Sequence, residues 1–235
     1  PGSVGTLGAH SFDGCSSLAS VRFPASLEST GGWFRGDGPF AGSGLSSARL
    51  AEGSVRVATG LFGGCGRLAS VEVPGTVTSV GDRAFQGCTS LPAALEVPAS
   101  VATLGNSAYE GCSQLTSVAL PPSLERVGAG AFRGCSSLAG VDLPASVSFV
   151  DNDAFDGCSS LSSLAVGEGC GGVLSADRHT ALPAGVGSRG WHSERGKRWL
   201  TTGELSSSRQ GVADTYTAPE AWRSLVSPQA AQTSP

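Results

Sequence analysis

Methionine is absent from the 235 residues, lysine occurs once (Lys197) against fourteen arginines, aromatics make up 6% and charged residues 14%. Together with 35 glycines, these absences read as a GC-rich coding bias, so a single Arg or Gly carries little functional weight by itself. No apolar run approaches the roughly 20 residues needed to span a bilayer, and no charged n-region with an apolar h-region opens the chain. A start at Pro1 reads as a fragment or a processed product. The net charge of −4 offers no basic footprint for nucleic acid or an anionic membrane surface. Residues 1–166 carry 8 basic and 13 acidic side chains, and the remainder 7 and 6. None of the seven cysteines forms a C-x-x-C pair, which removes the usual zinc and dithiol readings.

What the chain has instead is a period. An aromatic residue recurs at Phe12, Phe40, Phe62, Phe85, Tyr109, Phe132 and Phe155, at intervals of 28, 22, 23, 24, 23 and 23 residues. A repeat of that length reads as a stacked array, in which each unit buries its apolar face against its neighbours. Six cysteines (Cys15, Cys65, Cys88, Cys112, Cys135 and Cys158) occupy one slot of the repeat. Side chains one strand spacing apart and parallel have poor disulfide geometry, so the column reads as small buried residues whose S–H groups donate weakly to backbone carbonyls. Ser43 in the same slot keeps a small donor.

Each unit contains a segment such as Leu115 to Pro121, Leu-x-x-Val-x-Leu-Pro, which fits a short strand with Val118 and Leu120 facing inward and a proline closing the ladder. With about 23 residues per turn, successive strands lie parallel at roughly 4.8 Å, so seven would span about 30 Å. Three departures interrupt the pattern: an insertion around residues 31–39, a coil one residue short at Ser43, and an extra residue at Pro92 before the Leu95-Glu96-Val97 strand. Each predicts a bulge or kink rather than an end to the stack.

The wording A-F-x-G-C-x-S-L-x-x-V-x-L-P-x-S-V, repeated almost word for word at Ala84–Leu91 and Ala154–Leu161, resembles the BspA-like leucine-rich repeat over about residues 4–166. The resemblance implies a right-handed leucine-rich-repeat solenoid with a concave parallel β-sheet of about seven short strands and irregular outer returns. It also implies a surface-exposed adhesin or interaction module, at the cell surface or secreted, and no enzyme activity. Residues 1–166 form this solenoid, entered in mid-repeat, and residues 167–235 read as a largely irregular tail. Part of 167–200, with Trp191 or Trp199, is expected to fold over the open coil as a partial cap, and a short helix is expected at 218–226.

Two places could carry binding. The middle outward position of successive strands reads Arg22, Arg49, Glu72, Glu96, Ala119, Asp142, Ala165, a basic end followed by an acidic middle. Repeat proteins bind on this face, although its flanking column of serines and small residues lacks the aromatic anchors of hot spots, and Arg49–Glu72 pairing on a solvated face is the plainer reading. The insertion holds Arg35, Gly36 and Asp37, the integrin-recognition tripeptide, beside Trp33 and Phe34. Asp151-Asn152-Asp153 lacks a calcium-loop register and reads as a polar turn. His179, His192, Cys170, Asp177 and Glu194 in the tail supply catalytic residue types without a rigid frame to align them. The expectation is a monomeric, non-enzymatic module binding a protein or glycan partner, without cofactor, metal, nucleic acid or membrane insertion. The alternatives are a purely structural spacer in a longer protein and, third, a hydrolase using tail residues.

Overall fold

The computed structural model describes residues 4–30, 38–151, 153–166, 173–176, 191–194 and 197–201. The first strands are β1 (Thr6–Leu7), β2 (Ser20–Phe23), β3 (Ser29–Thr30), β4 (Ser47–Leu50), β5 (Arg56–Val57), β6 (Ser70–Glu72), β7 (Ser79–Val80) and β8 (Ala94–Glu96). They are followed by β9 (Thr103–Leu104), β10 (Ser117–Ala119), β11 (Arg126–Val127), β12 (Gly140–Leu143), β13 (Phe149–Val150), β14 (Ser163–Val166), β15 (Val173–Ala176), β16 (Trp191–Glu194) and β17 (Lys197–Thr201). There is no helix among the described residues.

The even-numbered strands β2 to β14 form the strand face expected from the Leu-x-x-Val-x-Leu-Pro segments, and all their pairings are parallel. The return path is more regular than periodicity suggests. Two-residue strands β5, β7, β9, β11 and β13 form a second parallel ladder, and β1 pairs with β3. In the segment read as a tail, β15 continues that ladder in parallel on β13, β17 runs antiparallel to β15, and β16 runs antiparallel to β17. Trp191 and Trp199 belong to β16 and β17; residues 218–226 lie outside the described residues.

Between the two ladders the core is built of columns. Rings of Phe62, Phe85, Tyr109, Phe132 and Phe155 stack with centroids 5.1 to 5.6 Å apart, and each such pair adds about 0.5–1.5 kcal/mol beyond its buried area. The irregular spacing around Phe40 interrupts the stack. Phe23 fills the interval edge-on, 5.6 Å from Phe40 and 5.7 Å from Phe62. The shortened coil closes because Gly44 brings its Cα against the preceding coil; a Cβ there would lie 2.0 Å from the Ser16 carbonyl oxygen.

Five cysteines of the column are buried, and each thiol donates to the carbonyl of the aromatic residue one coil back. Cys65 reaches Phe40 at 3.4 Å, Cys88 reaches Phe62 at 3.1 Å, Cys112 reaches Phe85 at 3.2 Å, Cys135 reaches Tyr109 at 3.2 Å and Cys158 reaches Phe132 at 3.1 Å. These six positions, Cys15 included, hold free thiols, and Cys15 is exposed. Burial pushes the thiols of Cys65, Cys112 and Cys158 up from 9.0 to about 12, and raises Cys88 and Cys135 for the same reason.

An acid that ionises at higher pH in the folded chain contributes stability fully present below its unfolded value and lost as pH rises through its folded one. Urea midpoints are therefore expected to hold steady below pH 9.0 and fall progressively toward about pH 12. Cys15 is expected to react with a thiol reagent at once while the five buried thiols wait for unfolding. A flat pH profile, or equal labelling of all six, contradicts this arrangement.

Two residues before the aromatic, the backbone turns left-handed. His10, Arg83, Ser107 and Asp153 have φ of 57°, 54°, 54° and 56° where other coils use Gly60 (62°) and Gly130 (61°). A side chain in this region costs about 1–2 kcal/mol, partly offset by the freedom glycine loses on folding. Ser107→Gly is expected to stabilise by about 0.5–1 kcal/mol, read as a higher denaturation midpoint; a lower midpoint contradicts the strain assignment.

Candidate functional site

Strand register decides which sequence-predicted residues share a surface. Arg22 pairs with Arg49 and Arg49 with Glu72, Glu96 pairs with Ala119, and Asp142 pairs with Ala165. Alternation along each strand turns these positions outward: Arg22, Arg49, Glu72, Glu96 and Asp142 are all exposed, while Ala48, Val118 and Val141 are buried behind them. The row thus exists as two exposed stretches, Arg22-Arg49-Glu72 with its basic end and an acidic one from Glu96 to Asp142. Within the first, Arg49 Nε meets Glu72 Oε2 at 3.2 Å, with both side chains more than half exposed. Such a pair contributes little to stability.

The column is not continuous. Strands β2, β4 and β6 form one sheet and β8, β10, β12 and β14 another, so the face divides between Glu72 and Glu96. No Cα of β6 lies within 8 Å of a Cα of β8, against about 4.8 Å between paired strands. The cause is at Pro92. In the other coils the residue after the leucine that recurs in each repeat donates its N–H to the previous coil: Ser46 to Ala19 at 3.0 Å, Ala69 to Ser46 at 2.8 Å, Thr116 to Ala93 at 2.7 Å, Ala139 to Thr116 at 3.0 Å and Ser162 to Ala139 at 2.9 Å. Pro92 stands in that slot without an N–H, and the extra residue behind it shifts β8 out of register. The stack survives because the return ladder does not break: Ser79 still pairs with Thr103 and Val80 with Leu104.

The opening is a cleft of about 620 Å³ on this face, its floor formed by Val71, Val73, Leu95, Val97 and Leu120. Val71 and Leu95 are half-buried, unlike their buried counterparts Ala48, Val118 and Val141 in paired strands. Outward-position reasoning missed these inward residues. The signal for them was Pro92 in a slot that needs a donor.

The other candidates gather no site among the described residues. Arg35, Gly36 and Asp37, with Trp33 and Phe34, lie outside the described residues. Cys170, Asp177 and His179 do so too, while His192 and Glu194 belong to β16. His10 is exposed, its Nδ1 3.6 Å from Asp13 Oδ2. Among the described residues no three His, Cys, Asp or Glu side chains converge as a metal site, and no helix is long and apolar enough to cross a membrane.

The comparisons agree with this architecture. Residues 1–34 and 35–162 match the model of the BspA type leucine rich repeat region, in six copies. No curated protein matches the chain. Among solved structures, a T. pallidum leucine-rich repeat protein is 30% identical over 62% of this chain and 68% of its own, with a TM-score of 0.53. A leucine-rich repeat protein from Bacteroides ovatus is 24% identical over 79% of this chain and 48% of its own, with a TM-score of 0.60. The pneumococcal vaccine antigen PcpA is 19% identical over 72% of this chain and 44% of its own, with a TM-score of 0.53. The last two show likeness of fold, and this chain spans under half the length of each. On the repeated wording, the ladder architecture and the extent of the family match, the chain belongs to the BspA type leucine-rich repeat family.

Proposed function

We propose that the solenoid is a non-enzymatic protein-interaction module, acting at a cell surface, that holds its partner against the strand face. The observation that carries this reading is the exposed row of Arg22, Arg49 and Glu72 on one sheet and Glu96 and Asp142 on the next, aligned by strand register within each sheet, with charge segregated from one to the other. A segregated charge column guides encounter and fixes orientation more than it adds affinity. Serine and small neighbours keep the surface flat, so affinity has to come from elsewhere on the same face. The family match supports an interaction role in general terms and names no partner.

The reading is tested by capture from extracellular-matrix and cell-surface extracts. The intact chain is compared with a variant carrying Arg22→Glu, Arg49→Glu, Glu72→Arg, Glu96→Arg and Asp142→Arg, and with Asp37→Glu. Captured protein is expected to fall at least about tenfold with the five-residue variant. Loss only with Asp37→Glu transfers binding to the insertion, and no specific capture by the intact chain leaves the solenoid a spacer.

A further inference from the structure

The break between β6 and β8 exposes two strand edges that face each other. In parallel pairing, alternate residues of a strand direct their N–H and C=O groups to opposite neighbours. Ser70 N–H bonds the Ser46 carbonyl at 3.2 Å, so Val71 directs its own groups away from β4, into the gap. Ser117 N–H bonds the Ala93 carbonyl at 3.1 Å and Val97 N–H bonds the Ala119 carbonyl at 3.1 Å, so Ala94 and Glu96 direct theirs into the gap from the other side. No hydrogen bond joins the two strands among the described residues. Open edges of this kind are templates for another strand, and here there are two, with half-buried Val71 and Leu95 beneath them and Glu72 and Glu96 above.

We propose that this gap is a slot for one extended peptide segment of a partner protein, carrying a basic residue between two apolar ones, which joins the sheet between β6 and β8. The proposal rests on the interaction reading and specifies its place and chemistry. Three observations choose the occupant. Donors and acceptors alternate along both edges at the spacing of a peptide backbone, which a glycan does not reproduce. Two strand spacings, about 9.6 Å, accommodate one inserted strand, and the Cα separation exceeds 8 Å. In register with Val71-Glu72-Val73 and Leu95-Glu96-Val97, an inserted strand places apolar side chains on the cleft floor and its middle side chain on the outer side beside the Glu96 carboxylate, which lines the cleft, while Glu72 across the gap is paired with Arg49. Strand addition of this type takes its affinity from main-chain bonds and its specificity from alternate side chains.

The test uses the full chain and a fluorescent peptide, acetyl-Gly-Ser-Val-Lys-Val-Ser-Gly-amide, followed by anisotropy. Saturable binding is expected, weakened at least about tenfold by N-methylation of alternate amides and about tenfold by Glu in place of Lys. Deleting Pro92 restores the repeat period and lets Ala93 supply the missing N–H; the deletion is expected to close the slot and abolish peptide binding. Should that deletion unfold the chain, Glu96→Arg serves instead, with the expected preference reversed toward the Glu peptide. No peptide binding, or equal binding of the N-methylated peptide, overturns the proposal. Self-association of the intact chain that vanishes on Pro92 deletion, read by sedimentation, also overturns it by making a second copy the occupant. Partner capture that persists undiminished after Pro92 deletion refutes the slot while leaving the strand-face reading intact.

Discussion

The structure depends on the backbone hydrogen bonds that tie each coil to the next. Strands of two to four residues have no independent stability, and a buried N–H or C=O without a partner costs about 1–3 kcal/mol. Every coil therefore needs its neighbours to satisfy its main chain, and the near-constant spacing of 23 or 24 residues from Phe62 onward keeps donors opposite acceptors. The aromatic and cysteine columns follow from that register: once the backbone repeats in space, equivalent side chains must stack on themselves. Flat rings stack well, and a small thiol fits under the carbonyl of the coil before it.

Pro92 shows how local a fault in this scheme is. It removes one donor and adds one residue, and the strand face parts there. The return ladder, whose own spacing still satisfies Ala102 N–H to Thr78 O and Gly105 N–H to Val80 O, both at 2.8 Å, carries the stack across the gap. Because each coil touches only its neighbours, the disturbance does not spread along the solenoid. The same proline thus separates the two sides of the coil, the return side holding the array together while the strand face parts.

Much of this was legible in the residues. The aromatic interval and the cysteine slot located the coils, the Leu-x-x-Val-x-Leu-Pro segments located the strand face, and the Arg49–Glu72 pair appears where outward spacing put it. The return ladder was not legible, because two-residue strands are too short to show a period of two. Nor was the left-handed column, since His10, Arg83, Ser107 and Asp153 hide a backbone requirement that Gly60 and Gly130 display openly. The split at Pro92 was half legible: a kink was expected, but only the hydrogen-bond slot shared by Ser46, Ala69, Thr116, Ala139 and Ser162 shows that one face must open and the other hold. Strands β15 to β17 follow a segment without period, and their pairing is set by the open end of the return ladder.

Amide hydrogen exchange resolved to single residues tests the central claim most directly. If inter-coil register governs the structure and fails only on one face at Pro92, the N–H groups of Val71, Ala94 and Glu96 will exchange fast. Those of Ser70, Leu95 and Val97 on the same strands, and of Val118 and Val141 in the equivalent slot of intact coils, will be protected. Uniform protection of Val71 and Glu96 at the level of Val118 and Val141 contradicts the account.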